Sequence, residues 1–198
     1  YIESVSSLCR EKGLAFHIDG ARIFNASAGS GIEVARYAAL ADTVMFCLSK
    51  GLGAPAGSVL VGSTETVAEA RRLRKLLGGG LRQVGVLAAC GLYALNHNIE
   101  RLSDDHRRAG ELAGRLEELD IKRLQVSPPD TNMVFLAWEG EDPGRYAEFS
   151  QALRADGLMV VAIPNRGIRI VFHKDVDEEA AQQAGEILTR HLRELFLE

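Results

Sequence analysis

The chain has 198 residues, which is enough for one large domain or two small ones. Hydrophobic residues make up 46% and charged residues 25%, a composition that excludes the disordered classes and is typical of a soluble globular protein. The formal net charge of −4 offers no bulk electrostatic attraction to nucleic acid or to an anionic membrane, so we expect neither as a partner. No apolar run approaches the roughly 18 residues that a membrane-spanning helix needs.

The three cysteines, Cys9, Cys47 and Cys90, lie at wide and irregular spacing. They form no CxxC pair and no cluster with histidine at the spacing of zinc ligands. We therefore expect neither a disulfide framework nor a metal site. A reducing, cytoplasmic setting fits this pattern best.

The early part of the chain alternates helical and strand-like segments. An amphipathic stretch predicts a first helix that ends at Gly13. Apolar runs at 14–19, 42–49 and 57–63 predict strands, and a helix at 33–41 precedes the second of them. Because these runs are continuously apolar, they are typical of strands buried on both faces, as in a parallel sheet flanked by helices. Open sheets of this kind bind ligands at the carboxyl ends of their strands.

The middle of the chain contains longer helical segments. Residues 64–77 predict a helix that is capped by Ser63 or Thr64 and ended by the glycines at 78–80. Helical periodicity then continues from 83 to about 119.

The last part of the chain predicts a small α+β domain beyond the break at 127–129. Its strands are expected in TNMVFLAWE, GLMVVAIP and GIRIVFHK, and its helices at 143–156 and 177–196. We therefore place the domain boundary between residues 1–115 and residues 116–198, with the long helix as the connector.

The stretch FCLSKGLGAPAGS places Lys50 at the end of an apolar run and in front of a glycine-rich loop. Three interpretations are open: a solvated loop lysine, a phosphate-binding lysine, or a nucleophilic amine. A Walker A loop requires GxxxxGK[ST], which this stretch does not supply, so the phosphate role is the weaker alternative. A lysine partly desolvated at a strand end loses its proton more readily, which is the condition for an amine that forms a Schiff base.

The stretch HIDGAR places Asp19 at the end of a predicted strand, at the sheet edge expected for Lys50. A carboxylate there is costly unless it is paired or hydrogen-bonded, and an N-cap of the next helix explains it as well as a functional role. Beside a Schiff-base lysine, Asp19 has a chemical reason, because pyridoxal 5′-phosphate needs a carboxylate near its ring nitrogen. Arg22 could then reach the ring oxygen of the cofactor or the carboxylate of the substrate.

Three motifs together resemble the low-specificity L-threonine aldolase family, whose members are pyridoxal-phosphate enzymes of the aspartate-aminotransferase fold type (fold type I). The motifs are FHIDGARIFNA, FCLSKGLGAPAGSVLVG and RKLLGGGLRQ. The resemblance covers essentially the whole chain, but only the later part of a family member. It implies an α/β fold, in which part of a mainly parallel cofactor-binding sheet with flanking helices precedes a C-terminal α+β small domain.

The resemblance also implies an activity and an assembly. The activity is cleavage of the Cα–Cβ bond of L-threonine or L-allo-threonine to glycine and an aldehyde. The assembly is a homodimer or homotetramer, and the substrate is a small amino acid. The cofactor is pyridoxal 5′-phosphate.

Four residues are implied to contact the cofactor. Lys50 is the catalytic lysine that holds the cofactor covalently, and Asp19 is the partner of the pyridinium nitrogen. Arg22 is a ligand of the cofactor oxygen or of the substrate, and Ser49 is a further cofactor contact.

The resemblance also implies roles for three basic residues that lie further along the sequence. Arg169 would bind the substrate carboxylate through its guanidinium fork; its alternative is an edge-strand arginine in solvent. Lys75 and Arg82 correspond to family positions that reach the active site of the neighbouring subunit. No metal ligand is implied.

Two alternatives stay open. Asp19, Lys50 and Arg169 would serve another fold-type-I enzyme, an aminotransferase or a β-eliminating lyase, equally well. The phosphate-binding loop and the ring-stacking histidine of the family have no counterpart in this sequence, so a non-catalytic fragment or partner subunit is the other alternative.

Overall fold

The computed structural model of the chain describes residues 1–138, 143–164 and 166–196. The chain forms two compact units, Tyr1–Leu102 and Ser103–Glu198. Each unit has its own sheet and its own hydrophobic core.

The first unit contains a short sheet and the helices around it. Its strands are β1 (His17–Asp19), β2 (Thr43–Cys47) and β3 (Ser58–Gly62). Its helices are α1 (Ile2–Glu11), α2 (Ile23–Ser30), α3 (Val34–Ala38), α4 (Thr64–Leu76) and α5 (Gly85–His97).

The sheet of the first unit has the order β1-β2-β3. β1 and β2 run parallel, with Asp19 opposite Met45. β3 lies where it was predicted but pairs antiparallel with β2, with Cys47 opposite Ser58, so the expectation of a third parallel strand was wrong. A parallel crossover needs about a dozen residues or more, usually with a helix, and the loop between Cys47 and Ser58 is too short for one.

The strands of this sheet are also less buried than their apolar sequences predicted. Val44 on β2 is 4% exposed, whereas Leu60 and Val61 on β3 are 40% and 46% exposed. β1 and β3 are the edge strands of the sheet, so only β2 has a neighbouring strand on each side.

Helix α4 begins and ends as its local sequence predicts. The Ser63 hydroxyl accepts a hydrogen bond from the Thr66 amide at 3.2 Å, so Ser63 rather than Thr64 is the N-cap. Gly78 follows the helix with a φ of +86°, a conformation that glycine adopts readily and other residues rarely do.

The core of the first unit lies beneath the loop that follows β2. It is built from five buried side chains, with Phe24 and Phe46 meeting edge to face at 5.2 Å between ring centroids. The five buried residues are Leu48, Leu52, Ala54, Ala94 and Leu102. Because three of them belong to the loop itself, the loop that carries Lys50 is packed into the core.

The second unit is an antiparallel sheet covered by helices. Its strands are β4 (Leu124–Ser127), β5 (Met133–Trp138), β6 (Val161–Ile163) and β7 (Gly167–Val171), in the order β4-β5-β7-β6. Its helices are α6 (Leu102–Glu117), α7 (Pro143–Ala155) and α8 (Glu178–Phe196).

Burial alternates from residue to residue along β5, which shows how the helices cover this sheet. Val134, Leu136 and Trp138 are buried in the core, while the residues between them are only partly buried. Such alternation is typical of a sheet with helices on one face, as in the predicted α+β arrangement. The predicted strand in TNMVFLAWE extends to Glu139, which lies outside the described residues.

The two compact units divide after Leu102, earlier than the sequence-based boundary between 115 and 116. α6 groups with the second unit because Ala109, Leu112 and Leu116 on its buried face belong to the core around β5 and β7. The assignment of residues 1–115 to a cofactor-binding domain and of 116–198 to a small domain stays a prediction.

Among the described residues, no helix is both long enough and apolar enough to cross a bilayer.

Candidate active site

The carboxyl ends of β1 and β2 bring two of the predicted site residues to one sheet edge. β1 ends at Asp19, and β2 ends at Cys47, shortly before Lys50. Because the two strands are parallel and adjacent, their carboxyl ends lie at the same edge. The structure thus gives Asp19 and Lys50 the common location that the sequence predicted.

Asp19 is exposed and holds a tight turn. Its Oδ1 accepts a hydrogen bond from the Ala21 amide at 3.1 Å, and the Gly20 amide donates to the Met45 carbonyl at 2.8 Å. Helix α2 begins at Ile23, with Arg22 at the N-cap position and no side-chain cap. The N-cap alternative for Asp19 was therefore wrong.

Gly20 allows the turn to pass close to the sheet. A Cβ at this position would lie 2.8 Å from the Met45 carbonyl oxygen and 3.1 Å from the Ile23 Cβ. Any larger residue would push the segment that carries Asp19 away from β2.

Lys50 and the neighbouring Ser49 are exposed. The partial burial that would favour a nucleophilic amine is absent at Lys50, because its side chain is exposed. The side chain is instead accessible to a ligand at the sheet edge, while the backbone beneath it is packed into the core.

Arg22 is partly buried at the start of α2, just beyond the Asp19 turn. It shares the first unit with Asp19, Ser49 and Lys50. Four of the predicted site residues therefore belong to one compact unit.

Arg169 lies on β7 in the second unit and is partly buried. β7 pairs with β5 on one side and with β6 on the other, so the edge-strand alternative was wrong. Its Nε is buried and has no hydrogen-bond partner among the described residues. A buried donor without a partner fits a guanidinium that awaits an anionic ligand such as a carboxylate.

Lys75 and Arg82 are exposed at the end of α4 and beyond it, away from the strand ends in sequence. The Lys75 side chain lies along the glycine turn, since a Cβ at Gly80 would be 2.7 Å from the Lys75 Cδ. Large apolar side chains around these two residues are also exposed. They include Leu76 (71%), Leu77 (84%), Leu81 (62%) and Val86 (74%).

The side chains at the sheet edge fit pyridoxal 5′-phosphate by their chemistry. An exposed primary amine can condense with an aldehyde, and a carboxylate at the same edge can hold a protonated ring nitrogen. Within the described ranges, no three His, Cys, Asp or Glu side chains lie close enough together to hold a metal ion.

The chain is similar in sequence to a known protein family and to several known proteins. Residues 1–139 match the family model described as "Beta-eliminating lyase". The chain is 46% identical over 183 residues to "Probable low-specificity L-threonine aldolase 2" of Arabidopsis thaliana. This match covers 90% of this chain and 51% of that protein. The chain is 41% identical over 179 residues to "Low specificity L-threonine aldolase" of Escherichia coli K12, with coverage of 90% and 51%.

A solved structure shows the same fold. The threonine aldolase of Leishmania major superposes with a TM-score of 0.74 at 20% identity and covers 96% of this chain and 55% of that one. The predicted fold class, an α/β fold of pyridoxal-phosphate fold type I, is thereby confirmed, as is the resemblance to low-specificity L-threonine aldolases. The chain spans about half the length of the curated relatives that it matches.

Proposed function

Because the chain belongs to the beta-eliminating lyase family, we propose that it carries the lysine-bearing part of the active site of a pyridoxal-phosphate-dependent lyase. The reaction is cleavage of the Cα–Cβ bond of L-threonine or L-allo-threonine to glycine and an aldehyde. One observation carries the proposal: a chain similar to low-specificity L-threonine aldolases over most of its length brings Asp19 and Lys50 to one edge of a sheet.

Lys50, Asp19, Ser49 and Arg22 hold the cofactor in this proposal. The Lys50 amine would hold it covalently, and the Asp19 carboxylate would keep a proton on the ring nitrogen. When bound, the cofactor supplies an electron sink for the electron pair that bond cleavage releases. Ser49 would be a further cofactor contact, and Arg22 would bind either a cofactor oxygen or the substrate.

In this proposal Arg169 would bind the carboxylate of the amino-acid substrate, a role that is also open to Arg22. The buried Nε of Arg169, which lacks a hydrogen-bond partner in the described parts of the chain, supports this role. A bidentate grip on the carboxylate fixes the substrate's orientation and so selects which bond to Cα breaks. A base takes the proton of the β-hydroxyl, the Cα–Cβ bond breaks and the aldehyde leaves, and Cα of the resulting glycine takes up a proton, so that no proton is gained or lost overall.

We further propose that the chain assembles into a homodimer or homotetramer. The exposed apolar side chains around Lys75 and Arg82 support this assembly, because contiguous exposed apolar surface is typical of interaction sites. Lys75 and Arg82 would then reach the site of the neighbouring copy.

We also propose that the protein works in the cytoplasm. Its three cysteines are free, as a reducing compartment favours. Fractionation of cells with an antibody to the chain tests this, and recovery in an organelle or outside the cell would contradict it.

The covalent role of Lys50 can be tested by trapping. The chain is incubated with pyridoxal 5′-phosphate, reduced with borohydride and digested for peptide mass spectrometry. We expect the label on Lys50 and its loss in Lys50→Ala, while Lys12→Ala, which removes another exposed lysine, keeps it. Preferential labelling of a lysine other than Lys50, or no visible absorbance band with cofactor, would overturn the assignment and favour a non-catalytic role.

The products distinguish this lyase from the other enzymes of the same fold. We expect glycine and acetaldehyde from L-threonine, whereas transamination would give a keto acid and β-elimination would release ammonia. Asp19→Asn should abolish product formation while leaving the trapped label on Lys50. Equal turnover in that variant would rule out the proposed role of Asp19.

A further inference from the structure

The loop between β2 and β3 is fixed by its own backbone. The Leu48 amide donates to the Gly57 carbonyl at 2.9 Å, and the Ala54 amide donates to the Leu48 carbonyl at 2.9 Å. Inside this frame, the Gly53 amide donates to the Lys50 carbonyl at 2.8 Å, and Gly53 has a φ of +72°. The carbonyl of Lys50 is thus closed into a tight turn.

A side-chain amide from α5 holds the same loop. Asn98, at the C-cap of α5, donates a hydrogen bond from Nδ2 to the Leu52 carbonyl at 2.7 Å. Leu52 follows Lys50 closely and is itself buried in the core at 2% exposure. Without this donor, the Leu52 carbonyl would lose its partner in a place with little access to water.

A second amide, from α2, packs against the loop at Gly51. Asn25 is 2% exposed, and a Cβ at Gly51 would lie 2.5 Å from its Oδ1 and 3.0 Å from the Leu102 Cδ2. Residue 51 therefore has no room for a side chain. α2 starts directly after the Asp19 turn, so Asn25 connects the segment that carries Asp19 with the loop that carries Lys50.

The buried amide of Asn25 and the half-buried amide of Asn98 both lie against one short loop, and this arrangement needs an explanation other than the filling of space. An apolar side chain of similar size would fill the same volume without the cost of removing an amide from water. An amide instead offers directional contact with a backbone that must stay in one place. The residue that benefits is Lys50, whose side chain is exposed while the backbone on its carboxyl side is held.

We propose that Asn25 and Asn98 are positioning residues that clamp the loop from Leu48 to Gly57 and thereby fix the Lys50 amine relative to Asp19. The chemistry at Lys50 is that of the proposed function, on which this role rests. The clamp itself is a property of the first unit and can be measured without cofactor.

The first experiment measures hydrogen exchange at single amides of the chain without cofactor. Asn98→Ala and the isosteric Asn98→Asp both remove the donor to Leu52. We expect the Gly53 and Ala54 amides to exchange at least about tenfold faster in both, with β2 unchanged. Asn96→Ala, which truncates an exposed asparagine on the same helix, should change none of these rates. Equal acceleration in β2, or none at Gly53 and Ala54, would overturn the clamp.

The second experiment measures how fast pyridoxal 5′-phosphate is captured at Lys50, by borohydride quenching and site-resolved mass spectrometry. Capture at the exposed Lys12 is the internal reference. We expect Asn98→Ala, Asn25→Ala and Gly51→Ala each to slow capture at Lys50 by about tenfold or more. A displacement of the Lys50 amine by about 1 Å is enough to slow a reaction that depends on orientation. Unchanged capture at Lys50 would overturn the positioning role.

A double variant tests the contact between Gly51 and Asn25. In Gly51→Ala with Asn25→Ala, the new methyl group occupies space that the amide has left, so we expect faster capture than in Gly51→Ala alone. Gly85→Ala, whose new Cβ would meet nothing within 4 Å, is the matched control. If the factor by which the double variant slows capture equals the product of the two single-variant factors, the two residues do not act through this contact.

The two measurements separate the two proposals. If the unsubstituted chain captures no cofactor at Lys50, the proposed function fails, and the exchange rates still decide whether the loop is clamped. If capture occurs but Asn98→Ala and Asn98→Asp leave both readouts unchanged, the positioning role fails alone.

Discussion

Single residues decide how closely backbone segments approach each other in this protein. Gly20 lets the Asp19 turn pass against β2, and Gly51 lets the Lys50 loop pass against Asn25. Both were visible in the sequence only as members of glycine-rich motifs, because the atoms they avoid come from other segments. The same holds for Arg169, whose buried donor could not be read from the pattern of β7.

Gly167 is the residue where we expect substitution by alanine to cause the largest loss of folding stability. Its φ is +96°, and a Cβ there would overlap the Leu136 carbonyl oxygen on the neighbouring strand. Gly167→Ala should destabilise the second unit by about 3 kcal/mol or more, because neither backbone can move away. Urea unfolding followed by fluorescence of the single tryptophan, Trp138, reports on this unit, whose core contains that residue.

The matched control is an alanine at Gly110. This exposed glycine lies inside α6, and a Cβ there would meet nothing within 4 Å. Gly110→Ala should raise stability by about 0.5–1 kcal/mol, the usual gain of alanine over glycine in a helix. A similar loss in both variants would show that the strand contact is not the cause.

Contacts between elements explain how α8 is attached near the end of α7. Asp156 follows α7, and its Oδ2 accepts hydrogen bonds from His191 Nε2 at 2.6 Å and Arg190 Nη2 at 3.0 Å on α8. The hydrogen bond from His191, with support from Arg190, lowers the pKa of Asp156 below its ordinary value of 3.8. The link therefore has a predictable pH dependence.

The sign follows from the lowered pKa of Asp156. A carboxyl group with a lower pKa in the folded state stabilises the fold above its unfolded pKa and loses that contribution as pH falls through the folded value. Asp156→Asn should lower the urea midpoint at neutral pH, and the difference from the unsubstituted chain should shrink as pH falls below about 4. The exposed Asp130→Asn should show no such convergence, and a constant difference for Asp156→Asn at all pH values would contradict the link.

At the scale of the whole molecule, the exposed apolar surface at the end of α4 requires an explanation. Leu76 and Leu77 are 71% and 84% exposed beside Lys75, and isolated chains seldom present such residues together. We expect Leu76→Glu with Leu77→Glu to shift the protein toward smaller oligomers, because buried charges weaken an apolar interface. Light scattering after size-exclusion chromatography at several concentrations measures the shift.

Met159→Glu is the control for this surface. Met159 is 77% exposed but lies in the second unit, so its substitution should leave the oligomeric state unchanged. A monomeric unsubstituted chain would rule out the proposed assembly, and an equal shift in the control would show a general effect of added charge.

The sequence by itself determined the features that depend on neighbouring residues. Apolar runs located β1, β2 and β3, the Ser63 region and Gly78 bounded α4, and three motifs led to the confirmed fold type. The motifs also placed Asp19 and Lys50 at strand ends, since both residues directly follow apolar runs. These properties are local, so composition and spacing carry them.

The tertiary structure decided everything that depends on which segments meet. It set the antiparallel direction of β3, the grouping of α6 with the second unit, and the interior place of Arg169 between two strands. It also exposed Lys50, buried Asn25 against the Lys50 loop and placed the half-buried Asn98 in hydrogen-bond contact with that loop; no spacing in the sequence indicated either asparagine. Burial and pairing arise from contacts between residues distant in sequence, and no local pattern encodes them.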